Sequence, residues 1–494
     1  MHLRSTATTN LRRYQLKCNI SVKSGVIFLQ NQTTRLDFII IGSGVSGSRI
    51  AYELARSGAR CLLLEAGKAY QDSTFPKNEL DSSSQLFWGG GIEVSQDGTL
   101  GFLRAKCLGG TSVVNQALLN RFDELAFQDW KSRSGIAYFS TKEMAPFYDE
   151  IEKNLSVNSI AEEHFNLNSQ IFIVGFNKLG YQWEPLHRAQ KDCKLEKGTD
   201  CIVCLGGCPR NSKQSALVTT IPWAKSKGLE IKTEVEVHSV IHEKDFVRVL
   251  GYGKGSKIEF IAKKVVLASG TFGNTTILLR SGYQEKLPAL GSAFSCHPQY
   301  MTYALFEDRI NSHKGAFQAV EGSDAYFREQ GLKFENVFAP PIATAMLLPG
   351  FGQSHQKLMK KYGYFASIEV AIRDEPVGKI KLNSNGKIQI QKPLTDLDKK
   401  KAKQGLEIVK DVFEESGAKE VFPCMQGFGL HLMGGCPMGS NPTTSVVGSD
   451  FKVHGYPHMY VADSSIFPTA PGINPSFTIM ALSLKASQEM LKAL

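Results

Sequence analysis

The chain has 494 residues, of which 42% are apolar and 21% charged, a balance typical of globular proteins. That composition excludes a disordered chain, a fibrous repeat and a disulfide-stapled miniprotein. The formal net charge is +10, but the first 35 residues hold six basic residues and no acidic one. Because the excess in the rest of the chain is small, it does not indicate the basic surface that nucleic-acid binding requires.

Residues 1–35 are predicted to form a basic N-terminal arm. Arg12 and Arg13 begin a short stretch that faintly resembles a twin-arginine signal, and the segment also contains several Ser and Thr residues. A targeting role is left open, although no apolar stretch or small-residue cleavage site follows. No run approaches the roughly 18 apolar residues of a membrane span, and we expect a cytoplasmic protein.

The first predicted unit is a strand, a helix and a second strand. Residues 37–41 form an apolar run, a glycine-rich turn follows, and a helix and a further strand lead to Glu65. The three glycines of the turn allow a tight bend, a close approach of backbone to a pyrophosphate, and close packing of helix on strand. The carboxylate of Glu65 suits an adenosine ribose. The residues predicted to bind the dinucleotide in this unit are Gly42, Ser43, Gly44, Val45, Gly47, Glu65 and Ala66.

Beyond this unit, residues 75–120 are predicted to form loops that lie against a ligand. Single strands are expected over 230–242 and 379–390, and helices over 397–415 and 475–494. The pattern favours an α/β protein, with an α+β domain inserted between two parts of a dinucleotide-binding domain. The predicted divisions are an arm over 1–35, a cofactor domain over 36–291 with a Cys-rich loop at 193–215, a substrate domain over 292–424, and a return to the cofactor domain over 425–494.

Four blocks of sequence, in order, resemble the glucose-methanol-choline (GMC) family of FAD-dependent oxidoreductases. They are the strand-helix-strand unit, residues 108–115, residues 265–280 and residues 431–481. The resemblance implies a Rossmann-type FAD-binding domain beside a second α+β substrate-binding domain, and FAD as the cofactor. By carry-over, further contacts with FAD are expected from Gly109, Gly110, Thr111, Asn115, Val237 and Asp463.

The last block carries the chemistry that the resemblance implies. His431 lies in His-Leu-Met-Gly-Gly, and Asn474 lies in Gly-Ile-Asn-Pro. A neutral imidazole suits removal of a hydroxyl proton near pH 7, and an amide can hold the alcohol oxygen without titrating. We therefore expect His431 to be the base and Asn474 its partner. Pro475 and Thr478, at the head of the last helix, are expected near the flavin pyrimidine.

Four cysteines crowd into residues 193–208, and the loop resembles the iron-sulfur loop of gluconate and fructose dehydrogenases of the same family. The spacing departs from that loop, so an iron-sulfur cluster, a structural zinc, and unliganded or disulfide-forming thiols all stay open. A cluster would favour an electron-acceptor protein or quinone as oxidant, and its absence would favour oxygen. The predicted ligands are Cys193, Cys201, Cys204 and Cys208.

The function that this reading favours is oxidation of a CH-OH group by an FAD-dependent dehydrogenase or oxidase. Sterols, long-chain alcohols and sugar-like alcohols all remain open as the small-molecule substrate. Two alternatives are a flavoprotein lyase of the hydroxynitrile lyase type and a non-catalytic redox sensor that uses the cysteine loop. The other histidines, His297 among them, are given no role in the chemistry.

Overall fold

The computed structural model describes residues 22–23, 26–27, 36–193, 204–316, 318–424 and 426–494. Apart from the short hairpin of Val22–Lys23 and Val26–Ile27, the predicted N-terminal arm lies outside the described residues. Among the described residues, no helix is both long and apolar enough to cross a membrane. The architecture is mixed α/β and consists of two large sheets with helices packed around them.

The first sheet has a parallel centre, as the predicted strand-helix-strand unit requires. Leu36–Ile41 pairs in parallel with Cys61–Leu64 on one side and with the end of Ser256–Leu267 on the other. Tyr456–Val461 adds a further parallel strand, so the C-terminal block returns to this sheet. The eight strands are Leu36–Ile41, Cys61–Leu64, Glu230–Lys232, Val235–His242, Val247–Gly253, Ser256–Leu267, Lys452–Val453 and Tyr456–Val461.

The second sheet is built around one long strand, Ser295–Leu305, every residue of which is buried. Phe365–Ile372 and Gly427–Met433 pair with it in antiparallel fashion on its two sides. The predicted division of the chain into domains remains a prediction. The nine strands are Glu93–Val94, Leu100–Phe102, Trp183–Pro185, Ser295–Leu305, Val320–Gly322, Leu332–Asn336, Phe365–Ile372, Glu420–Pro423 and Gly427–Met433.

The helices cover the faces of the sheets, and the first and last of them pack on each other. Ile50 and Leu54 form part of the buried face of the first helix, one turn apart, as the 3.6-residue period requires. The α-helices are Val45–Arg56, Glu79–Leu86, Glu124–Ser134, Thr141–Glu152, Leu167–Leu179, Thr220–Lys225, Gly270–Arg280, Ala325–Gln330, Pro341–Leu347, Gly352–Met359, Asp396–Glu415 and Ser476–Leu491.

Two expected single strands are each divided in the structure. Residues 230–242 break at Glu234, whose φ of 59° interrupts the extended chain, so the two halves pair with different neighbours. Residues 379–390 form a hairpin of Lys379–Leu382 and Ile388–Gln391, with Gly386 in the turn at a φ of 70°. The predicted loops at 75–120 also contain the helix Glu79–Leu86. In the two divided strands, a residue with a positive φ interrupts a sequence that is strand-like on both sides of it.

Candidate active site

The glycine-rich turn has the geometry that its sequence predicts. Gly42 follows the strand Leu36–Ile41 and has a φ of 100°, which strongly disfavours a side chain. A Cβ on Gly42 would lie 2.3 Å from the carbonyl oxygen of Ala268, and one on Gly47 would lie 2.0 Å from the carbonyl oxygen of Gly42. Gly44 is different, because a Cβ there would meet nothing within 4 Å. The turn is therefore packed against protein at two glycines and open at the third.

A buried carboxylate joins this turn to a second glycine-rich segment. Glu65 accepts hydrogen bonds from the Ser43 amide at 3.1 Å, from the Ser43 hydroxyl at 2.5 Å and from the Gly67 amide at 2.8 Å. The amide of Gly109 donates to the Ser43 hydroxyl at 2.9 Å. Burial raises the pKa of the Glu65 carboxyl, although these hydrogen bonds lower it. The predicted residues of the two segments thus lie together.

The open side of the turn fits a phosphate-bearing cofactor. Val45 begins a helix of 12 residues, whose first amides point along the helix axis toward Gly44. A Cβ on Gly110 would lie 2.8 Å from the Cα of Gly44, so the two glycine-rich segments approach backbone to backbone. The donor set therefore fits the pyrophosphate of a dinucleotide such as FAD.

The C-terminal block closes onto the same strand ends. The Asp463 carboxylate accepts hydrogen bonds from the Gly270 amide at 2.6 Å and from the Asn274 side chain at 2.9 Å. The hydroxyl of Ser46, in the first helix, donates to the carbonyl of Ala462 at 2.6 Å. Asp463 therefore lies at the edge where the predicted cofactor residues meet, and burial raises its pKa.

Other residues predicted to contact the cofactor bind to protein groups in the structure. The Asn115 side chain accepts a hydrogen bond from the Ala117 amide at 3.0 Å, and the Thr478 hydroxyl shares a 2.5 Å hydrogen bond with Tyr148. Thr111 accepts a long hydrogen bond of 3.5 Å from Ala105. Val237 is buried in its strand, and Pro475 caps the last helix directly after Asn474. Their roles remain predictions.

A small cavity brings the two predicted catalytic residues together. His431 comes from the strand Gly427–Met433 of the second sheet, whereas Asn474 comes from the loop before the last helix. The remaining lining is markedly polar for a substrate pocket. The other lining residues are His297, Gln299, Lys333, Glu335, Glu369, Ala371, Ile372 and Gly472.

His431 is one of a pair of histidines. His297 lies on the neighbouring strand Ser295–Leu305, and the Nδ1 atoms of the two rings are 2.9 Å apart. The amide of Gly472 donates to Nε2 of His297 at 2.9 Å. Because Nε2 of His297 accepts this hydrogen bond, a neutral His297 carries its proton on Nδ1. That N-H then donates a hydrogen bond to Nδ1 of His431. A neutral His431 then carries its own proton on Nε2.

Both imidazoles are held in the neutral form. Burial lowers the pKa of His297 well below its ordinary value, and the nearby His431 lowers it further. Burial, with a contribution from the positive charge of Lys333, lowers the pKa of His431 to about 3. The sequence analysis gave His297 no role, and its strand, Ser295–Leu305, mixes polar and apolar residues, so the sequence offered no clear signal.

Three carboxylates and one ammonium line the other side of the cavity or lie just behind it. Glu321, Glu335 and Glu369 stand opposite one another on three adjacent strands. Lys333 is 2.5 Å from Glu321 Oε2 and 3.1 Å from Glu335 Oε1. Burial, together with the neighbouring Glu335 carboxylate, raises the pKa of Glu369 well above its ordinary value. Lys333 also donates a hydrogen bond to the side-chain oxygen of Asn474.

The cysteine loop does not support the predicted iron-sulfur cluster. Cys193, Cys204 and Cys208 are free thiols, and no group of three or more His, Cys, Asp or Glu residues in the described part of the chain is arranged to hold a metal. The sulfur of Cys204 instead faces the Arg188 guanidinium at 3.4 Å. Cys201 lies outside the described residues.

Comparison with known proteins agrees with this architecture. The two parts of the GMC oxidoreductase family model match residues 83–299 and 374–483, well over half of the chain together. A model of an NAD(P)-binding Rossmann-like domain matches residues 40–96.

Similar proteins extend over almost the whole chain. An uncharacterized GMC-type oxidoreductase of Mycobacterium tuberculosis is 24% identical over 92% of this chain and 76% of its own length. A long-chain-alcohol oxidase of Arabidopsis thaliana is 25% identical over 93% of this chain and 68% of its own length. The solved structure of Aspergillus oryzae formate oxidase superposes with a TM-score of 0.72 at 16% identity, covering 93% of this chain and 99% of that one. The chain belongs to the GMC oxidoreductase family.

Proposed function

We propose that this protein binds FAD and oxidises the CH-OH group of a small alcohol in the cavity that contains His431 and Asn474. The observation that carries the proposal is the meeting of these two side chains in one cavity. FAD is the dinucleotide favoured by family membership, and the similar formate oxidase is described with FAD. FAD supplies, when bound, the two-electron acceptor for the hydride of the carbinol carbon.

The chain's own groups hold the hydroxyl oxygen. Nε2 of His431 and the amide nitrogen of Asn474 are both N-H donors in the hydrogen-bonding pattern described above. Two donors on one oxygen favour the alkoxide over the alcohol, which lowers the barrier to loss of the hydroxyl proton. The resting structure thus favours His431 as a donor, whereas the sequence predicts it as the base.

The base therefore has two candidates. The first is Glu335, an ion-paired carboxylate that lines the same cavity; in that case the hydroxyl proton moves to Glu335 as the hydride leaves. The second is His431 itself. It can accept a proton on Nε2 only after its hydrogen bond with His297 has reversed, and the Gly472 amide opposes that change. Protonation of Glu335 leaves the hydrogen bond between His297 and His431 in place but removes one charge from the ion pair with Lys333, whereas protonation of His431 leaves that ion pair intact.

The lining supports a polar substrate over a lipid one. An alkyl chain or sterol in this cavity would face the ion pair of Lys333 and Glu335 and would remove water from it without replacing the hydrogen bonds of that water. We therefore propose a short, hydroxyl-rich alcohol. Anaerobic mixing of the flavin-loaded protein with glycerol, a hexose and a C16 alcohol tests this, since the flavin absorbance should bleach with one of the first two. Persistent absorbance with every alcohol would refute the oxidation.

Substitution of His431 separates its two candidate roles. Glutamine can donate a hydrogen bond but cannot take up a proton near neutral pH. In His431→Gln, a donor role predicts a flavin reduction rate at least about tenfold above that of His431→Ala, the value of one good hydrogen bond. Equal rates in the two variants would identify His431 as the base. His454→Gln is the matched control, because His454 hydrogen-bonds Ser445 and does not line the cavity.

A further inference from the structure

The amide of Asn474 has a fixed neighbour on the side away from the substrate. The ammonium of Lys333 donates to its Oδ1 and also contacts Glu321 and Glu335. Three acceptors therefore surround the three N-H bonds of this ammonium. Its side chain is only 14% exposed. Such an ammonium is anchored, because any movement would leave buried charges without partners.

The anchoring follows from strand geometry. Lys333 and Glu335 are two residues apart on the strand Leu332–Asn336, so their side chains emerge on the same face of the sheet. Glu321 stands opposite Glu335 on the neighbouring strand. Burial lowers the pKa of Lys333, but the two carboxylates raise it by more, so its pKa lies above the ordinary value. The Lys333 side chain is therefore charged at neutral pH.

The consequence concerns the orientation of the Asn474 amide. The oxygen and nitrogen of a carboxamide are nearly the same size, so packing alone does not choose between two orientations related by a 180° turn. An ammonium has no lone pair, so the atom that faces Lys333 must be the oxygen. The nitrogen Nδ2 makes no hydrogen bond with another side chain or backbone group in the described residues, and Asn474 lines the cavity.

We propose that Lys333 is a positioning residue, which holds the Asn474 amide so that its N-H, and not its carbonyl, meets the substrate oxygen. This inference rests on the proposed function for its catalytic consequence. The contact between Lys333 and Asn474 itself does not depend on it. Without Lys333 the amide can turn, and the turned amide presents an acceptor to the lone pairs of the hydroxyl oxygen.

A double-mutant cycle tests the coupling in the flavin-loaded protein. We expect Lys333→Met to slow flavin reduction by about tenfold when Asn474 is present, and by less than about twofold in an Asn474→Ala background. Equal slowing in both backgrounds would show that Lys333 does not act through Asn474. If Lys333→Met does not fold because two carboxylates lose their partner, Lys333→Met combined with Glu321→Gln restores the charge balance.

A second readout does not involve turnover. In protein labelled with ¹⁵N on asparagine, the side-chain amide signal that is lost in Asn474→Ala belongs to Asn474. We expect Lys333→Met to shift or broaden that signal and Lys333→Arg to retain it. An unchanged signal in Lys333→Met would overturn the positioning role. If no alcohol reduces the flavin, the proposed function fails, whereas this measurement still decides whether Lys333 holds the amide.

The matched control is a second buried lysine. Lys392 lies 2.8 Å from Asp374, and both side chains are fully buried, but Lys392 does not line the cavity. Lys392→Met should lower stability as any broken buried pair does. We expect it to leave the Asn474 signal in place. A similar change in that signal would mean that general loosening of the domain, and not loss of a specific donor, explains the Lys333 result.

Discussion

The three glycines of the nucleotide turn differ in what surrounds them, and this predicts opposite phenotypes for the same substitution. In Gly47→Ala the new methyl carbon would stand 2.0 Å from the carbonyl oxygen of Gly42 and 3.1 Å from the Cβ of Ala268. Backbone atoms cannot yield as a flexible side chain does. In Gly44→Ala the methyl group meets no protein atom within 4 Å, and the φ of −60° suits alanine.

The magnitudes follow from these contacts. Overpacking typically costs about 1–3 kcal/mol, and the contact in Gly47→Ala is severe enough to outweigh the roughly 1 kcal/mol by which alanine favours a helix over glycine. We expect a net loss of about 2 kcal/mol in the free energy of unfolding of the apoprotein. Gly44→Ala should change the free energy of unfolding by less than about 1 kcal/mol, because alanine restricts the unfolded chain but is a poorer N-cap residue than glycine.

The FAD affinities of the two variants should not follow their stabilities. If the cofactor pyrophosphate approaches the backbone at Gly44, the methyl group there occupies its place, and affinity should fall by at least about tenfold, or about 1.4 kcal/mol. Urea unfolding of the apoprotein gives the stabilities, and quenching of flavin fluorescence gives the affinities. Wild-type affinity in Gly44→Ala, or a stability loss as large as that of Gly47→Ala, would refute the assignment of the open side to the cofactor.

Three further predictions concern other groups of the site. Glu65→Gln should weaken FAD binding, because the carboxylate orders Ser43 and the turn; titration with FAD measures this, and unchanged affinity would contradict it. In the unfolded chain His431 takes up a proton as the pH falls below its ordinary pKa of 6.5, whereas in the folded chain it does so only near pH 3. The free energy of unfolding should therefore fall as the pH drops from 6.5 toward 3, and it should fall less in His431→Gln. The purified protein should contain no stoichiometric iron, because the described residues include no group of three or more His, Cys, Asp or Glu side chains arranged to hold a metal; elemental analysis that finds bound iron would reverse this.

The backbone of the glycine-rich turn could be predicted from the sequence because its rules are local. The spacing of Gly42, Gly44 and Gly47 between a strand and a helix determines the backbone of the turn, and Glu65 follows at the end of the next strand. Each relation spans few residues. The predicted strand, residues 37–41, accordingly differs by one residue from the observed Leu36–Ile41.

The polar partners of His431 and Asn474 could not be predicted in this way. His297 is 134 residues from His431, and Lys333 is 141 residues from Asn474. Their contacts depend on which strands neighbour one another in the second sheet and in which register. A single sequence contains the residues but not the register, so a histidine or lysine in a strand resembles any buried polar group.

The two sheets therefore contribute different kinds of group to the proposed reaction, and this bears on how substrate preference can change. The first sheet offers backbone amides and glycines, which do not determine which substrate is preferred. The second offers Lys333 and Glu335, which form an ion pair with little exposure to solvent. Enlarging the cavity alone would not admit a long alkyl chain, because the chain would desolvate these ions. Replacing the ions together by apolar residues of similar volume removes that cost, so a change toward lipid alcohols requires concerted substitution of the set.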